Sequence, residues 1–390
     1  MSALLFQPIR LRGLTLANRI VVEPMTQFSC DDGTAGDWHI MHLGQYAVSG
    51  AGLVFTESTY VAPDARNTPM CLSLYSDAQE AAIGRIKRFF DAHGNVRFGV
   101  QLCHAGRRAS AREPWLGGGA RGVEDGGYRT FAPSALPISP RWPTPAELDE
   151  NGMRSIRDAF AASTERALRA GVDLIELHCA HGYLMHQFLS PISNRRCDAW
   201  GGSPSNRMRF PLEVFAAIRA AWPQDKPLGV RVSATDWVDG GWDLPQTIAF
   251  ARALEGLGCD FIDVSSGGLS SAQKITVGPG YQTPFAAAVK AAVKMAVIAV
   301  GQITHPHQAE TILMTGQADM IGLARAMLYN PRWPWDAAKE LGADLPYPRQ
   351  YERAHPSRRG AAGINAPGNV APPPEMTTSA ADAPGARTND

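Results

Sequence analysis

Neither charge sign is in excess in this chain of 390 residues: Lys+Arg number 37 and Asp+Glu 37, a formal net charge of +0. That excludes a strongly basic nucleic-acid binder, which needs surplus positive charge to neutralise phosphates. It also argues against a polybasic membrane-surface protein and an acidic tail protein. Cysteine is scarce. Its six copies, at 30, 71, 103, 179, 197 and 259, include no C-x2-C pair of the kind that holds zinc or an iron–sulfur cluster. They are too few for a disulfide scaffold, so reduced thiols in a cytoplasmic protein are expected. Long apolar runs are missing too, and stretches such as 296–300 fall far short of a membrane span. The first residues, Met-Ser-Ala-Leu-Leu-Phe-Gln-Pro, lack a charged region followed by a long apolar core, so no signal peptide is read. No repeat of solenoid period is visible.

Hydrophobic residues make up 45% of the chain and charged residues 19%, the mix of a globular protein with a large core. At about 150 residues per domain the length suggests two or three domains, although α/β barrels exceed that size as one unit. Short, β-branched apolar runs recur at 20–22, 53–55, 98–102, 172–177, 228–232, 261–264, 297–300 and 320–323. Bounded by Gly, Asp or Ser, they suit strands buried on both faces. Amphipathic stretches at 77–93, 150–170, 205–221, 245–257, 283–294 and 306–315 predict helices between them. Gly171 is placed as a C-cap. Alternation of this kind predicts a parallel sheet closed into a single (β/α)8 TIM barrel, with an open doubly wound sheet as the alternative. Residues 1–18 read as a small hairpin closing the barrel floor. Residues 104–148 form a long Gly-, Pro- and Arg-rich insertion after the third strand, on the face where barrel active sites lie. The barrel is expected over 1–354. The Pro-, Gly- and Ala-rich segment 355–390 reads as a disordered tail, because it has too little apolar surface to offset the entropy of ordering.

Three features could carry chemistry. His178-Cys179-Ala180-His181-Gly182-Tyr183 begins where the fourth strand ends, followed by His186. A sharp turn there brings two imidazole donors and a phenol together, suited to holding an anionic oxygen and delivering a proton. Satisfied structural histidines and a metal pair are the competing readings; no H-E-x-x-H pattern supports the latter. Gly301-Gln302-Ile303-Thr304 and Gly322-Leu323-Ala324-Arg325 follow or end the last two strands, where barrels bind phosphate through backbone N–H groups and a positive charge. An ordinary turn with a surface arginine reads equally from these residues. Arg231 lies inside an apolar strand, costly unless it faces a partner or forms a buried ion pair, and Gln101 at the third strand end is equally ambiguous.

Several motifs then recur in one order: Pro24-Met25, Asp37-Trp38-His39, Gln101, His104-Ala105-Gly106-Arg107, His178-x-Ala180-His181-Gly182-Tyr183, Phe188-Leu189-Ser190-Pro191, Ser193-Asn194-Arg195, Gly201-Gly202-Ser203 with Asn206-Arg207, and Gln350-Tyr351-Glu352-Arg353. From about residue 4 to 353 the chain resembles the old yellow enzymes, and its ending is similar to the thermophilic-like branch of bacterial ene-reductases. The resemblance implies a barrel with non-covalent FMN, NADH or NADPH as electron donor, and a small-molecule substrate bearing an activated alkene. It implies no metal, nucleic acid or membrane. By resemblance Arg231 and Gln101 lie along the pyrimidine edge of the flavin; Pro24, Met25, Thr26 and Ser58 border the ring; and Gly301, Gln302, Ala324 and Arg325 hold the phosphate. His178 and His181 bind the carbonyl oxygen of an α,β-unsaturated substrate, Tyr183 protonates its α-carbon, and Phe28 lines the pocket. Arg353 reaches a neighbouring protomer's site, implying a homodimer or dimer of dimers.

The chain departs from the family pattern at Glu23, where a small residue is usual before Pro-Met; at Thr26, where that branch carries Cys; at Phe28, in place of Tyr; and at Ala324, where Gly is usual. Glu23 and Phe28 leave one other reading in view, a flavin barrel that has lost ene-reductase turnover and acts as a redox sensor; the histidines taken as ligands leave another, a metal-dependent hydrolase on the same barrel.

Overall fold

The alternating runs close into a barrel in the computed structural model, which describes residues 3–358. A hairpin of β1 (Ile9–Leu11) and β2 (Leu14–Leu16) comes first, then β3 (Ile20–Val22). Helix α1 (Asp37–Ala47), β4 (Leu53–Tyr60), α2 (Asp77–His93) and β5 (Arg97–Cys103) follow. The insertion carries two short strands, β6 (Phe131–Ala132) and β7 (Ala146–Glu147). Then come α3 (Glu150–Arg169), β8 (Leu174–Cys179), α4 (Leu184–Leu189), α5 (Pro204–Ala221), β9 (Leu228–Ser233), α6 (Leu244–Gly256) and β10 (Phe261–Ser265). The barrel ends with α7 (Thr283–Lys290), β11 (Ala296–Ala299), α8 (Pro306–Met314), β12 (Met320–Leu323), α9 (Arg325–Tyr329) and α10 (Trp333–Glu340).

Eight parallel strands form a closed ring in the order β10-β11-β12-β3-β4-β5-β8-β9. Closure leaves no strand edge unpaired, and β4, β8, β9 and β10 are buried along their whole length. The doubly wound alternative is thereby excluded. Four helices are capped as their sequences suggest: Ser76, Asp149, Ser203 and Asp243 each accept a bond from the N–H three residues on. Gly171 ends α3 with φ +82.

The hairpin closes the floor as expected. Leu11 and Leu16 join Val21, Leu53, Phe55, Leu174, Phe261, Ile298 and Met320 in an apolar plug inside the ring. Phe55 and Phe261 meet with centroids 6.1 Å apart. They fit because Gly99 and Gly229 stand beside them: a Cβ there would lie 2.6 Å from the Phe55 ring and 2.3 Å from the Phe261 ring.

Three sequence expectations are corrected. The insertion is not one bare loop, since it holds three 3-10 turns and the parallel β6–β7 pair. Helix α7 stops at Lys290 rather than 294, because Glu255 takes the N–H groups of Lys294 and Met295 at 2.5 and 2.9 Å and draws the chain into β11. Helices α1, α4, α9 and α10 were not foreseen; α4 is buried at every position and so has no polar face to read. One compact unit runs to Pro346 and a second begins at Tyr347, where Arg349–Ala354 and Pro356–Arg358 form 3-10 turns. The predicted disordered tail lies, from residue 359 onward, outside the described residues. Among the described residues no helix is long and apolar enough to cross a membrane.

Candidate functional site

Strand register gathers the polar residues of the barrel interior at one level. Ser58 on β4 pairs with Gln101 on β5, Gln101 with Glu176 on β8, and His178 with Arg231 on β9, which in turn pairs with Asp263 on β10. The β4–β5 register shifts between Phe55 and Ser58, which brings Ser58 opposite Gln101. Ser58 Oγ donates to Gln101 Oε1 at 2.8 Å, and Gln101 Nε2 donates to Glu176 Oε1 at 2.7 Å. Arg231 Nη1 lies 2.8 Å from Glu23 Oε2, and its Nε lies 2.8 Å from Asp263 Oδ2. These last contacts are ionic rather than aligned hydrogen bonds, and both oxygens of Glu23 and of Asp263 remain without a hydrogen-bond partner.

One guanidinium therefore faces three buried carboxylates. Burial pushes the Glu23 carboxyl well above the usual carboxylate range, opposed by Arg231 and reinforced by Asp263 and Glu176. Burial likewise raises Asp263, and it pushes Glu176 up to about 8. Burial acts against the charge on Arg231, but the three carboxylates outweigh it and hold the guanidinium protonated. The buried ion pair that Arg231 implied is thus present, and it lines a cavity as well.

That cavity, about 370 Å³, runs from Glu23 and Arg231 past Ser265 and Gln282 to Gly301, Gln302, Ala324 and Arg325. Its size is that of a small-molecule site. Gly301 has φ +109, and a Cβ on it would lie 2.5 Å from Gln282 Nε2. At Gly322 a Cβ would lie 2.0 Å from Glu23 Oε1. Arg325 begins α9 with its side chain exposed at the rim, beside the first-turn N–H groups that have no intrahelical partner. An anion is favoured at this end, while unpaired buried oxygens and a fixed cation mark the other. A phosphate-bearing polar cofactor such as FMN fits both.

The imidazole cluster follows β8. His181 has φ +56 and Gly182 φ +73, so the chain turns sharply. A Cβ on Gly182 would lie 2.5 Å from the Gly268 carbonyl oxygen, and only glycine permits that approach. The turn sets His178 5.3 Å from His181 and 4.9 Å from Tyr183 between ring centroids. The Ala180 N–H donates to His178 Nδ1 at 3.3 Å, which assigns the ring proton to Nε2. Burial, then Arg231, hold both histidines well below the usual imidazole range, so they are neutral. His181 is anchored by Ser265 Oγ at 2.8 Å and by Ser233, which accepts its N–H at 3.0 Å. Burial raises the Tyr183 phenol, keeping its proton at neutral pH. The Arg108 guanidinium lies 5.6 Å from the Tyr183 ring centroid and Tyr60 lies 6.5 Å away. His186 belongs elsewhere: it accepts from Gly182 N–H at 3.0 Å and meets Asp236 at 2.8 Å, bracing α4 beneath the turn.

The segment after β3 is half-buried at Pro24, Met25, Thr26 and Phe28. It is held from below by Glu57, which accepts the Gln27 N–H at 3.1 Å and contacts His39 at 3.2 Å. Phe28, with φ +49, packs edge-on against Trp115 of the insertion at 5.7 Å. Arg353 is exposed within the second compact unit. Among the described residues no three His, Cys, Asp or Glu side chains converge as a metal ligand set.

Glu176, Asp263, Ser265, Arg108 and Tyr60 were missed from the sequence. Glu176 and Asp263 gave the same signal as Arg231, a lone charge in an apolar strand. Arg108 and Tyr60 gave none, since only the fold brings them to Tyr183.

Comparisons with known proteins agree with this geometry. The NADH:flavin oxidoreductase / NADH oxidase family matches residues 4–344. The chain is 42% identical over 355 residues to an NADPH dehydrogenase of Geobacillus sp. (strain WCH70), covering 90% of this chain and 99% of that one. It is 40% identical over 355 residues to an NADPH dehydrogenase of Bacillus subtilis (strain 168), with the same coverage. Among solved structures, morphinone reductase superposes with a TM-score of 0.74 at 28% identity, covering 88% of this chain and 91% of that one. The chain belongs to the NADH:flavin oxidoreductase / NADH oxidase family, the old yellow enzymes, and is an oxidoreductase that uses FMN with NAD(P)H as electron donor.

Proposed function

We propose that this enzyme is an ene-reductase, acting on the activated C=C bond of α,β-unsaturated carbonyl or nitro compounds. FMN held in the cavity would supply, at the expense of NAD(P)H, the hydride that the β-carbon accepts. His178, with its proton on Nε2, donates to the substrate's carbonyl or nitro oxygen, and His181, anchored on Ser265, holds the same oxygen. A neutral imidazole donor suits an oxygen that gains negative charge. Tyr183 delivers its proton to the α-carbon, with Arg108 and Tyr60 setting the ring's position. Gly301, Gln302, Ala324 and Arg325 hold the cofactor phosphate; Arg231, Gln101, Ser58, Pro24, Met25 and Thr26 border its ring; Phe28 lines the substrate side. The single observation carrying this reading is the sharp turn after β8, which sets the buried His178 ring 4.9 Å, centroid to centroid, from the Tyr183 ring.

His178→Ala is expected to lower turnover of an enone about 10²–10³-fold while FMN stays bound, the usual cost of one such donor. Unchanged turnover overturns its role. Tyr183→Phe is expected to slow the oxidative half-reaction about 10²-fold or more and leave flavin reduction by NAD(P)H intact. Stopped-flow absorbance separates the two half-reactions, and equal impairment of both rejects the assignment.

Six free cysteines, five of them buried, support placement in the reducing cytoplasm. Arg353 is assigned to a neighbouring protomer's site in a homodimer, for which sedimentation of wild type and Arg353→Ala is the test. The sensor reading draws on the Glu23 carboxylate inside the cavity. It predicts FMN that NAD(P)H reduces but that enones, maleimides and nitroalkenes do not reoxidise.

A further inference from the structure

Glu23 has no role in the chemistry above, yet it is the carboxylic acid among the residues that line the cofactor cavity. Its side chain is 2% exposed, lines the cavity, and presents two oxygens with no hydrogen-bond partner. It rests against Gly322, where any Cβ would overlap Oε1. The groups facing it are Arg231 on β9, Asp263 on β10 and Glu176 on β8. The phosphate of FMN, with Arg325 beside it, would occupy the far end of the same space. Three ionised carboxylates and one guanidinium would leave two uncompensated negative charges in a buried site that must admit an anionic cofactor. Burial without compensation on this scale is relieved by taking up protons.

We propose that Glu23 is a cofactor-binding residue that works as a neutral carboxylic acid, its single O–H donating a hydrogen bond to FMN. The inference rests on the assignment of this cavity to FMN. The proton is placed on Glu23 rather than Asp263 because Glu23 lines the cavity, whereas Asp263 is not among its lining residues. A neutral acid satisfies an otherwise orphaned buried group and spares the phosphate a neighbouring negative charge. The small residue usual at this position can do neither.

The test uses the FMN-loaded full chain and two variants. Infrared difference spectra at pH 7, wild type minus Glu23→Gln, are expected to show a protonated-carboxyl stretch that shifts in D2O, the band of protonated Glu176 being common to both and cancelling. FMN release on dilution, followed by recovery of free-flavin fluorescence, is expected to stay within threefold of wild type in Glu23→Gln, whose amide is also neutral and a donor. In Glu23→Ser, release is expected at about tenfold higher protein concentration, the loss of one buried hydrogen bond. The proposal is overturned if the wild-type-minus-Glu23→Gln difference spectrum lacks the band, if Glu23→Gln weakens FMN as much as Glu23→Ser, or if Glu23→Ser binds FMN as tightly as wild type. Wild-type protein that holds no FMN overturns the cavity assignment itself.

Discussion

The two ends of this barrel solve opposite problems with the same eight strands. At the floor, Phe55 and Phe261 interlock with hairpin leucines over strand glycines in a cluster of apolar side chains. At the mouth, the next inward-facing positions of those strands are Ser58, Gln101, Glu176, Arg231 and Asp263, and their charges do not balance. The floor contributes stability by excluding water. The mouth forgoes part of that stability to keep groups unsatisfied until a ligand arrives. Damage to the floor should therefore register as lost stability with the chemistry intact, and damage to the mouth as lost binding whose stability cost depends on pH.

The sharpest break is Phe261→Ala, expected to cost about 3–5 kcal/mol in urea unfolding while FMN remains bound in the native state. Specific loss of FMN at unchanged stability would mean that the floor is no independent plug. Arg231→Met comes second. Removing the one cation from a buried set typically costs about 3–5 kcal/mol. Here the carboxylates can answer by binding protons, so the variant should lose less stability at pH 6 than at pH 8; an equal loss at both would show the acids already neutral.

The smallest effect isolates Glu176. Its folded-state value of about 8 lies above the unfolded carboxylate range, so the folded protein binds the extra proton. The associated stability is complete below the unfolded range and is lost as pH rises through 8. Between pH 7 and 8 the loss is about 1 kcal/mol. The buried histidines act in the other direction but only at lower pH, where their neutral forms must charge. Glu176→Gln should flatten urea-unfolding stability across that interval, and a slope retained in the variant would locate the proton elsewhere.

The floor was more legible in the sequence than the mouth, and the reason is physical. Burial on both faces leaves a continuous apolar run, so each barrel strand could be found, often shorter than it is: 53–55 was read where Leu53–Tyr60 forms, because Thr56, Glu57, Ser58 and Thr59 interrupt the pattern. Those interruptions are the site. His178, His181 and Tyr183 were readable because one turn supplies all three. The partners of Arg231 were not paired with it, because Glu23, Glu176 and Asp263 come from three separate strands or their ends, and only closure of the ring makes them neighbours. Helix α4 stayed hidden because it is buried throughout.

Glu23 and Gly322 are coupled through bare space: the acid's Oε1 occupies the volume that any side chain on residue 322 would need. A lineage carrying this acid is thereby confined to glycine at the end of its last strand. Surrendering the carboxyl alone does not free the choice, because Val300 Cγ1 would lie 2.5 Å from the same Cβ, so an engineer reshaping this pocket has to clear both side chains first.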